Sequence, residues 1–433
     1  HTNDRRQRQM CIRDRNILSS LVKSTRRLNR FGSKGLGKLH NNIDKAVDSV
    51  MSTTGEVSTL VYAEHLLNLI EKENDEGLSK FLKNLLANHD IDTKKLMKDV
   101  KNYSNEKSEQ NLKKINISAE PKWIELFRRL NSTSNGTSRL VKLRERIRIL
   151  NDPELKTFDS GLLKLFKYWF NPSFLVLEKI DWETPANILE KIIEYEAVHE
   201  INSWDDLRAR LAPTDRQCFA FFHPLIPNDP LIFVEVALCK DIPKSIQEII
   251  KIDRNEIDIE DVNTAIFYSI SNCQNGLLGI SFGNFLIKKV AKTLKRELPN
   301  LNQFLTLSPI PGLMKWMEEY APITFERCSE KSCSDEELLK KTILYLTESD
   351  RSDNMPNDPV GRFHIGNGAS LERINLNADL SEKGLTQSYG VMANYLYDLD
   401  VVEENHELFF KNKIVPVSNE IKSIKKNIHK KLK

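Results

Sequence analysis

Two short stretches carry residue types from which a proton-transfer site is made. The first, Phe304-Leu305-Thr306-Leu307-Ser308-Pro309-Ile310-Pro311-Gly312, is an apolar, β-forming run that reaches a serine and is halted at once by two prolines. Proline cannot continue a ladder and fixes its own backbone, so this pattern predicts a hydroxyl at a strand end, preorganised by the rigid turn behind it. The second, Arg362-Phe363-His364-Ile365-Gly366-Asn367-Gly368-Ala369, sets a histidine among glycines, with Gly361 just before it. It reads as a solvent-reachable loop, the kind of segment on which much chemistry is mounted. A hydroxyl and an imidazole in hydrogen-bond reach make an acid–base pair, provided that the fold brings them together.

The residues alone leave alternatives open. Most serines at a strand terminus do nothing more than end the strand, and two other histidines compete with His364. His199, beside the apolar Ile192 and Ile193, reads as a packing residue; His223, between Phe222 and Pro224, suits structure and chemistry equally. Ser308 does not sit in a Gly-x-Ser-x-Gly elbow, which argues against acyl-enzyme hydrolysis. A third stretch places Gly276, Gly279 and Gly283 ahead of an amphipathic helix over Phe282–Glu297, with Phe285, Leu286, Val290, Ala291 and Leu294 inward and Lys289, Lys292, Lys295 and Arg296 outward. Glycines let the backbone approach a ligand, and the free amides of a first turn hold phosphate. No Walker loop or Rossmann fingerprint is formed. What remains is a seat for an acyl-CoA pyrophosphate or a purely structural strand-to-helix turn.

These segments need a sheet to position them, and the periodicity supplies one in the second half. Cys218–Phe222, Leu231–Leu238 and Thr264–Ser271 are β-branched or aromatic runs bounded by proline or polar loops. Leu231–Leu238 is apolar except for Glu235, as befits an interior strand covered on both faces. From about Ile17 to Ile180 the pattern is helical and strands are hard to find: Ser58–Ile70 and Lys80–Leu86 repeat at helical spacing, and Asp90–Asn111 reads as a loosely held helix or surface segment. A helix is expected to start at Asp159-Ser160 and to stop at Asn171-Pro172. The Thr184-Pro185 pair, an N-cap and a first helical position, opens a helix carrying Ile188, Leu189, Ile192, Ile193, Ala197, Val198 and Ile201, and marks the domain boundary. After it, Ser203 caps a short helix that Pro213 ends. The expectation is an α+β chain: a helical domain over residues 1–183 and a sheet-containing domain over 184–433.

At 433 residues the chain is too long for one ordinary core, so two domains fit its length. With 40% apolar and 29% charged residues it reads as globular rather than disordered, and no apolar run approaches the ~18 residues of a membrane span. Its 64 basic and 61 acidic residues nearly balance. The basic ends, Arg5, Arg6, Arg8, Arg13 and Arg15 at one and Lys422–Lys433 at the other, read as solvated, disordered tails. No aromatic-interleaved basic patch is present to stack bases, which argues against nucleic acid. Cys11, Cys218, Cys239, Cys273, Cys328 and Cys333 are scattered as in a reducing compartment, and only the last two lie close, without the spacing of a zinc site. The first residue is histidine, and no targeting signal is read from the Arg-rich opening; the expected location is cytoplasmic, with the mitochondrial matrix as the alternative.

The second half resembles the malonyl-CoA decarboxylase family. The resemblance is carried by Asn187-Ile188-Leu189-Glu190-Lys191-Ile192-Ile193-Glu194-Tyr195-Glu196-Ala197-Val198-His199, Cys218-Phe219-Ala220-Phe221-Phe222-His223-Pro224, Gly279-Ile280-Ser281-Phe282-Gly283-Asn284-Phe285-Leu286-Ile287-Lys288, Leu307-Ser308-Pro309-Ile310-Pro311-Gly312, Phe363-His364-x-x-Asn367-Gly368-Ala369 and Met392-Ala393-Asn394-Tyr395-Leu396-Tyr397. It extends in order from about Glu120 to Leu399. It implies a helical N-terminal domain, a CoA-binding domain of acetyltransferase-like (GNAT-type) fold with a central mixed sheet, and conversion of malonyl-CoA to acetyl-CoA and carbon dioxide; a separate reading makes the helical domain the scaffold of a homo-oligomer. It assigns Ser308 as proton acceptor and His364 as proton donor, and places a substrate loop on Leu278, Gly279, Ile280, Ser281, Phe282, Gly283 and Asn284. No metal or organic cofactor is implied, because the thioester is itself the electron sink; a same-fold acyltransferase is the alternative. Animal members tend to have an acidic residue where Ser281 stands and a cysteine where Pro224 stands, so the resemblance is nearer to bacterial members.

Overall fold

The structure, a computed structural model, describes residues 39–431 and divides into two compact units. The Arg-rich opening and Cys11 lie outside the described residues. The first unit runs to Leu175 and includes His223–Pro227 and Gln274–Ile280; the second takes the remainder from Val176.

The first unit is helical. Asn42, Asn74, Asp92 and Ser108 each accept a first-turn amide and open the helices Ile43–Ser52, Asp75–His89, Thr93–Asn105 and Glu109–Ser118. The Thr93–Asn105 and Glu109–Ser118 helices are largely exposed, in keeping with their charge. The core gathers Leu66 and Leu82 with Trp123, Phe127, Phe158 and Phe166, all buried. Trp123 packs on Phe158 at a centroid distance of 4.7 Å and edge-on to Phe127 at 5.6 Å. Each such buried ring contributes roughly 1.5–3 kcal/mol. The helix expected from Asp159 starts earlier, at Lys156, and runs to Trp169. Asp152 and Pro153 lead into it through a short 3-10 turn, and Asp159 instead receives Arg144 Nε at 2.8 Å.

Arg144 is the anchor of the glycine-bearing segment. It is 1% exposed, and its Nη1 donates to the carbonyls of Gly276 at 2.7 Å and Leu278 at 2.9 Å. A Cβ on Gly276 would stand 2.0 Å from the Val141 carbonyl oxygen, so only glycine fits there. Gly276 thus admits a helix of the protein rather than a ligand.

The second unit is built on one eight-stranded sheet: β1 Val176–Ile180, β2 Arg216–Phe222, β3 Ile232–Cys239, β4 Thr264–Asn272, β5 Gln303–Thr306, β6 Ser308–Pro309, β7 Ser370–Asn375 and β8 Met392–Leu396. The order is β1-β2-β3-β4-β5-β8-β6, with β7 on β8. Every neighbour is antiparallel except β4 and β5, whose parallel pairing needs a crossover, supplied by the Gly283–Glu297 helix. All of β3 is buried, as an interior strand should be. This helical unit followed by a mixed sheet is the α+β architecture expected from the sequence.

Several local expectations are corrected. Residues 176–180 form a strand, not the tail of the helical half. The helix after Pro185 stops at Tyr195 because the Glu196 carboxylate takes the amides of Val198 and His199, both at 2.8 Å, which turns the chain. Thr184 does not cap that helix; its hydroxyl accepts from the Asp181 amide. Phe285, expected inward, is 51% exposed, and Phe282 and Ile287 are buried instead. The basic tail forms a helix, Asn419–Lys431, whose Ile421 and Ile428 are buried at helical spacing. Among the described residues no helix is long and apolar enough to cross a membrane.

Candidate active site

Ser308 is where the proline rule puts a strand end. β5 closes at Thr306, Leu307 interrupts the ladder, and Ser308 opens the two-residue β6. β8 bridges the break, pairing Leu396 with Leu305 and Ala393 with Ser308. Thr306 and Ser308, two residues apart on an extended chain, present their hydroxyls to each other: Ser308 Oγ donates to Thr306 Oγ1 at 2.8 Å. Thr306 Oγ1 also accepts the Tyr395 amide at 3.2 Å, and the Thr306 carbonyl accepts from Asn394 Nδ2 at 2.7 Å.

His364 is not in a solvent-reachable loop. It lies in the helix Pro359–Gly366 and is 2% exposed. Asp358 caps this helix, accepting the Gly361 amide at 2.6 Å, and Pro359 takes the first helical position. The glycines serve close packing: a Cβ on Gly361 would lie 3.0 Å from the Tyr395 hydroxyl, and Gly368, at φ +89°, sits against the Val402 carbonyl.

The fold brings the two expected residues together. His364 Nε2 lies 3.0 Å from Ser308 Oγ, and Nδ1 lies 2.9 Å from the Tyr397 hydroxyl. The imidazole stacks on Tyr395 at 4.7 Å and meets Phe363 edge-on at 5.0 Å. Burial pushes His364 down to about 3, so the ring is neutral at physiological pH. Burial also raises Tyr397, the Asn367 side chain opposing that rise. Asn367 keeps its amide nitrogen buried and outside hydrogen-bond geometry with any described protein atom.

The expected substrate loop is partly exposed: Leu278, Gly279 and Ser281 face solvent, and Phe282 and Gly283 are buried. Its C-terminal end packs on the neighbour of His364: a Cβ on Gly283 would stand 2.5 Å from the ring of Phe363. The helix beginning at Gly283 has no side-chain cap on its first turn. His199 and His223 are not members of the site. His199 is buried behind Glu196, and His223 Nδ1 accepts the Leu225 amide at 3.1 Å within a tight turn. Two site residues were not singled out from sequence, Tyr397 and Thr306. Thr306 could have been, since a strand residue two before Ser308 shares its face.

The mixed-sheet unit thus holds a buried hydroxyl–imidazole–phenol chain, the parts from which an acid–base site is made. Comparison with known proteins gives the family. The malonyl-CoA decarboxylase N-terminal domain matches residues 89–170, and the malonyl-CoA decarboxylase C-terminal domain matches 173–341 and 324–433. The mitochondrial malonyl-CoA decarboxylase of Anser anser anser is 34% identical over 350 residues, 70% of this chain and 69% of that protein. The enzyme of Rattus norvegicus is 33% identical over 351 residues, 70% and 71% of the two chains. The crystal structure of malonyl-CoA decarboxylase from Rhodopseudomonas palustris is 42% identical with a TM-score of 0.82, covering 88% of this chain and 98% of that one. That from Agrobacterium vitis is 41% identical with a TM-score of 0.85, covering 88% and 99%. The chain belongs to the malonyl-CoA decarboxylase family.

Proposed function

We propose that this carboxy-lyase converts malonyl-CoA to acetyl-CoA and carbon dioxide with Ser308 and His364 as its working pair. The observation that carries the assignment of residues is their 3.0 Å contact in a buried site, at the positions that the family resemblance names. Loss of carbon dioxide leaves an electron pair conjugated with the thioester carbonyl, and the barrier falls if preorganised donors meet the developing negative oxygen. The uncapped first turn at Gly283, which packs on the ring of Phe363, offers amides suited to that oxygen or to the pyrophosphate. Ser308 Oγ accepts from the imidazole and holds its Nε2–H beside the carbon that loses carbon dioxide.

His364 then protonates the carbon left behind. Because the ring is neutral, the proton it gives is the one on Nε2, and the Tyr397 hydroxyl on Nδ1 can return one to the ring. An enolate carbon is a far stronger base than a phenolate, so this transfer runs downhill. The thioester is the electron sink, and neither metal nor organic cofactor enters the scheme. Five free thiols among the described residues favour a reducing compartment, which we take as the cytoplasm, with the mitochondrial matrix as the alternative. We assign the helical unit a role in homo-oligomer formation.

Incubation with malonyl-CoA and no acceptor tests the reading: carbon dioxide and acetyl-CoA are expected in equal amounts. An inert mixture that begins to turn over when an amine is added would replace decarboxylation by acyl transfer.

A further inference from the structure

A serine beside a histidine is compatible with two opposite reactions, and the direction of the hydrogen bonds decides between them. If the serine hydroxyl points at the ring, the imidazole is a base and the serine a nucleophile, as acyl transfer requires. If the ring N–H points at the serine, the imidazole is an acid, as protonation of a carbanion requires. The donor direction at Ser308 is set by a neighbour outside the pair. Ser308 Oγ donates its single proton to Thr306 Oγ1 at 2.8 Å. The oxygen therefore has only lone pairs left for His364, and the 3.0 Å contact must be made by an Nε2–H. A neutral imidazole with its proton on Nε2 has a bare Nδ1, which accepts from the Tyr397 hydroxyl at 2.9 Å. Each proton in the chain from Tyr397 through His364 and Ser308 to Thr306 then points the same way. The acceptor end is itself held, because Thr306 Oγ1 takes the Tyr395 amide at 3.2 Å from β8.

We propose that Thr306 is a positioning residue that fixes the polarity of this chain, keeping His364 as a proton donor and denying Ser308 the activation a nucleophile needs. The inference rests on the decarboxylase reading for its consequence, but the polarity itself is a property of the resting protein. Without an acceptor at position 306 the Ser308 hydroxyl is free to turn onto Nε2, the ring proton moves to Nδ1, and Tyr397 becomes an acceptor. The site would keep its residues and lose its direction.

The test is nitrogen NMR of protein labelled in its histidine rings, in which protonated and bare ring nitrogens resonate far apart; His364 is identified by loss of its signals in His364→Gln. In the wild type at neutral pH the proton is expected on Nε2. Thr306→Val should move it to Nδ1, with kcat for carbon dioxide release down at least tenfold and KM within about twofold. Thr306→Ser, which restores the hydroxyl, should restore both the tautomer and the rate. A wild-type ring protonated on Nδ1, or a Thr306→Val ring still protonated on Nε2, overturns the proposal whatever the activity. Absence of carbon dioxide release by the wild type, with the expected tautomers, would instead remove the decarboxylase reading and leave the polarity standing.

Discussion

Tyr397→Phe removes one oxygen from a ring that is 1% exposed and leaves the packing around it in place. The space vacated is smaller than a water needs, so nothing replaces the hydroxyl. His364 Nδ1 then loses its partner at 2.9 Å and becomes a buried acceptor without a donor. For the fold this costs about 1–3 kcal/mol, the penalty of leaving such a group unsatisfied. For the reaction the loss is larger. A neutral imidazole that gives up its Nε2 proton turns into an anion in a buried site unless a proton arrives at Nδ1 in the same event. A positioned acid contributes about 10²–10⁴ in rate, equivalent to roughly 3–5 kcal/mol at 1.36 kcal/mol per decade. The expected result is therefore a fall in kcat of at least about 10² with little change in KM, since the hydroxyl meets the ring and not the substrate. Carbon dioxide release at saturating malonyl-CoA reads the rate, and calorimetry on the same samples reads the fold. A variant that melts earlier but turns over within a few-fold of the wild type would refute the refilling of His364 through Tyr397.

Arg144→Ala should lower stability by about 3–5 kcal/mol, because it strands two carbonyls and the Asp159 carboxylate that the guanidinium now serves; denaturant midpoints measure it. His199 is pushed down to about 4 by burial, with Arg210 and Lys383 adding to the effect and Asp379 opposing it. The fold therefore keeps this ring neutral while an unfolded histidine takes up a proton below about 6.5. Its contribution is complete above pH 6.5 and is lost as pH falls toward 4, at about 1.4 kcal/mol per unit; His199→Gln should flatten the acid limb of a stability–pH profile. A chain starting at Val176 should contain fewer subunits per particle in solution than the full chain if the helical unit assembles the oligomer, and an unchanged subunit number would sink that role.

The sheet was legible because its strands announce themselves locally: an apolar run such as Leu231–Leu238 has little choice but to be buried on both faces. Ser308 was legible for the same reason, since Pro309 and Pro311 leave the strand nowhere to go. The loop expected at His364 rests on glycine as a sign of looseness. At Gly361 and Gly368 it marks close approach, to Tyr395 and to the Val402 backbone. The correcting signal was present in Asp358-Pro359, a capping residue followed by the amino acid best suited to a first helical position. Tyr397 carried no such signal. It meets His364 across 33 residues of chain because β8 threads between β5 and β6, and strand order is not written in local periodicity.

The burial that hides His364 is also what suits it to the reaction proposed. An exposed imidazole would titrate near 6.5 and would meet the carboxylate of the substrate as a cation over part of the physiological range, drawing charge toward the group that must leave. Sealed between Tyr395 and Phe363, the ring stays neutral across that range, and its proton is aimed by neighbours rather than by solvent. The site then has no net charge to stabilise the malonyl carboxylate in the ground state, and its dipoles are oriented toward charge that appears only as carbon dioxide departs. Interactions that strengthen only along the reaction coordinate are the ones that raise turnover. A loop histidine, free to reorient, would have had to order those dipoles during the reaction; the Pro359–Gly366 helix and the Thr306–Ser308 strand break order them during folding.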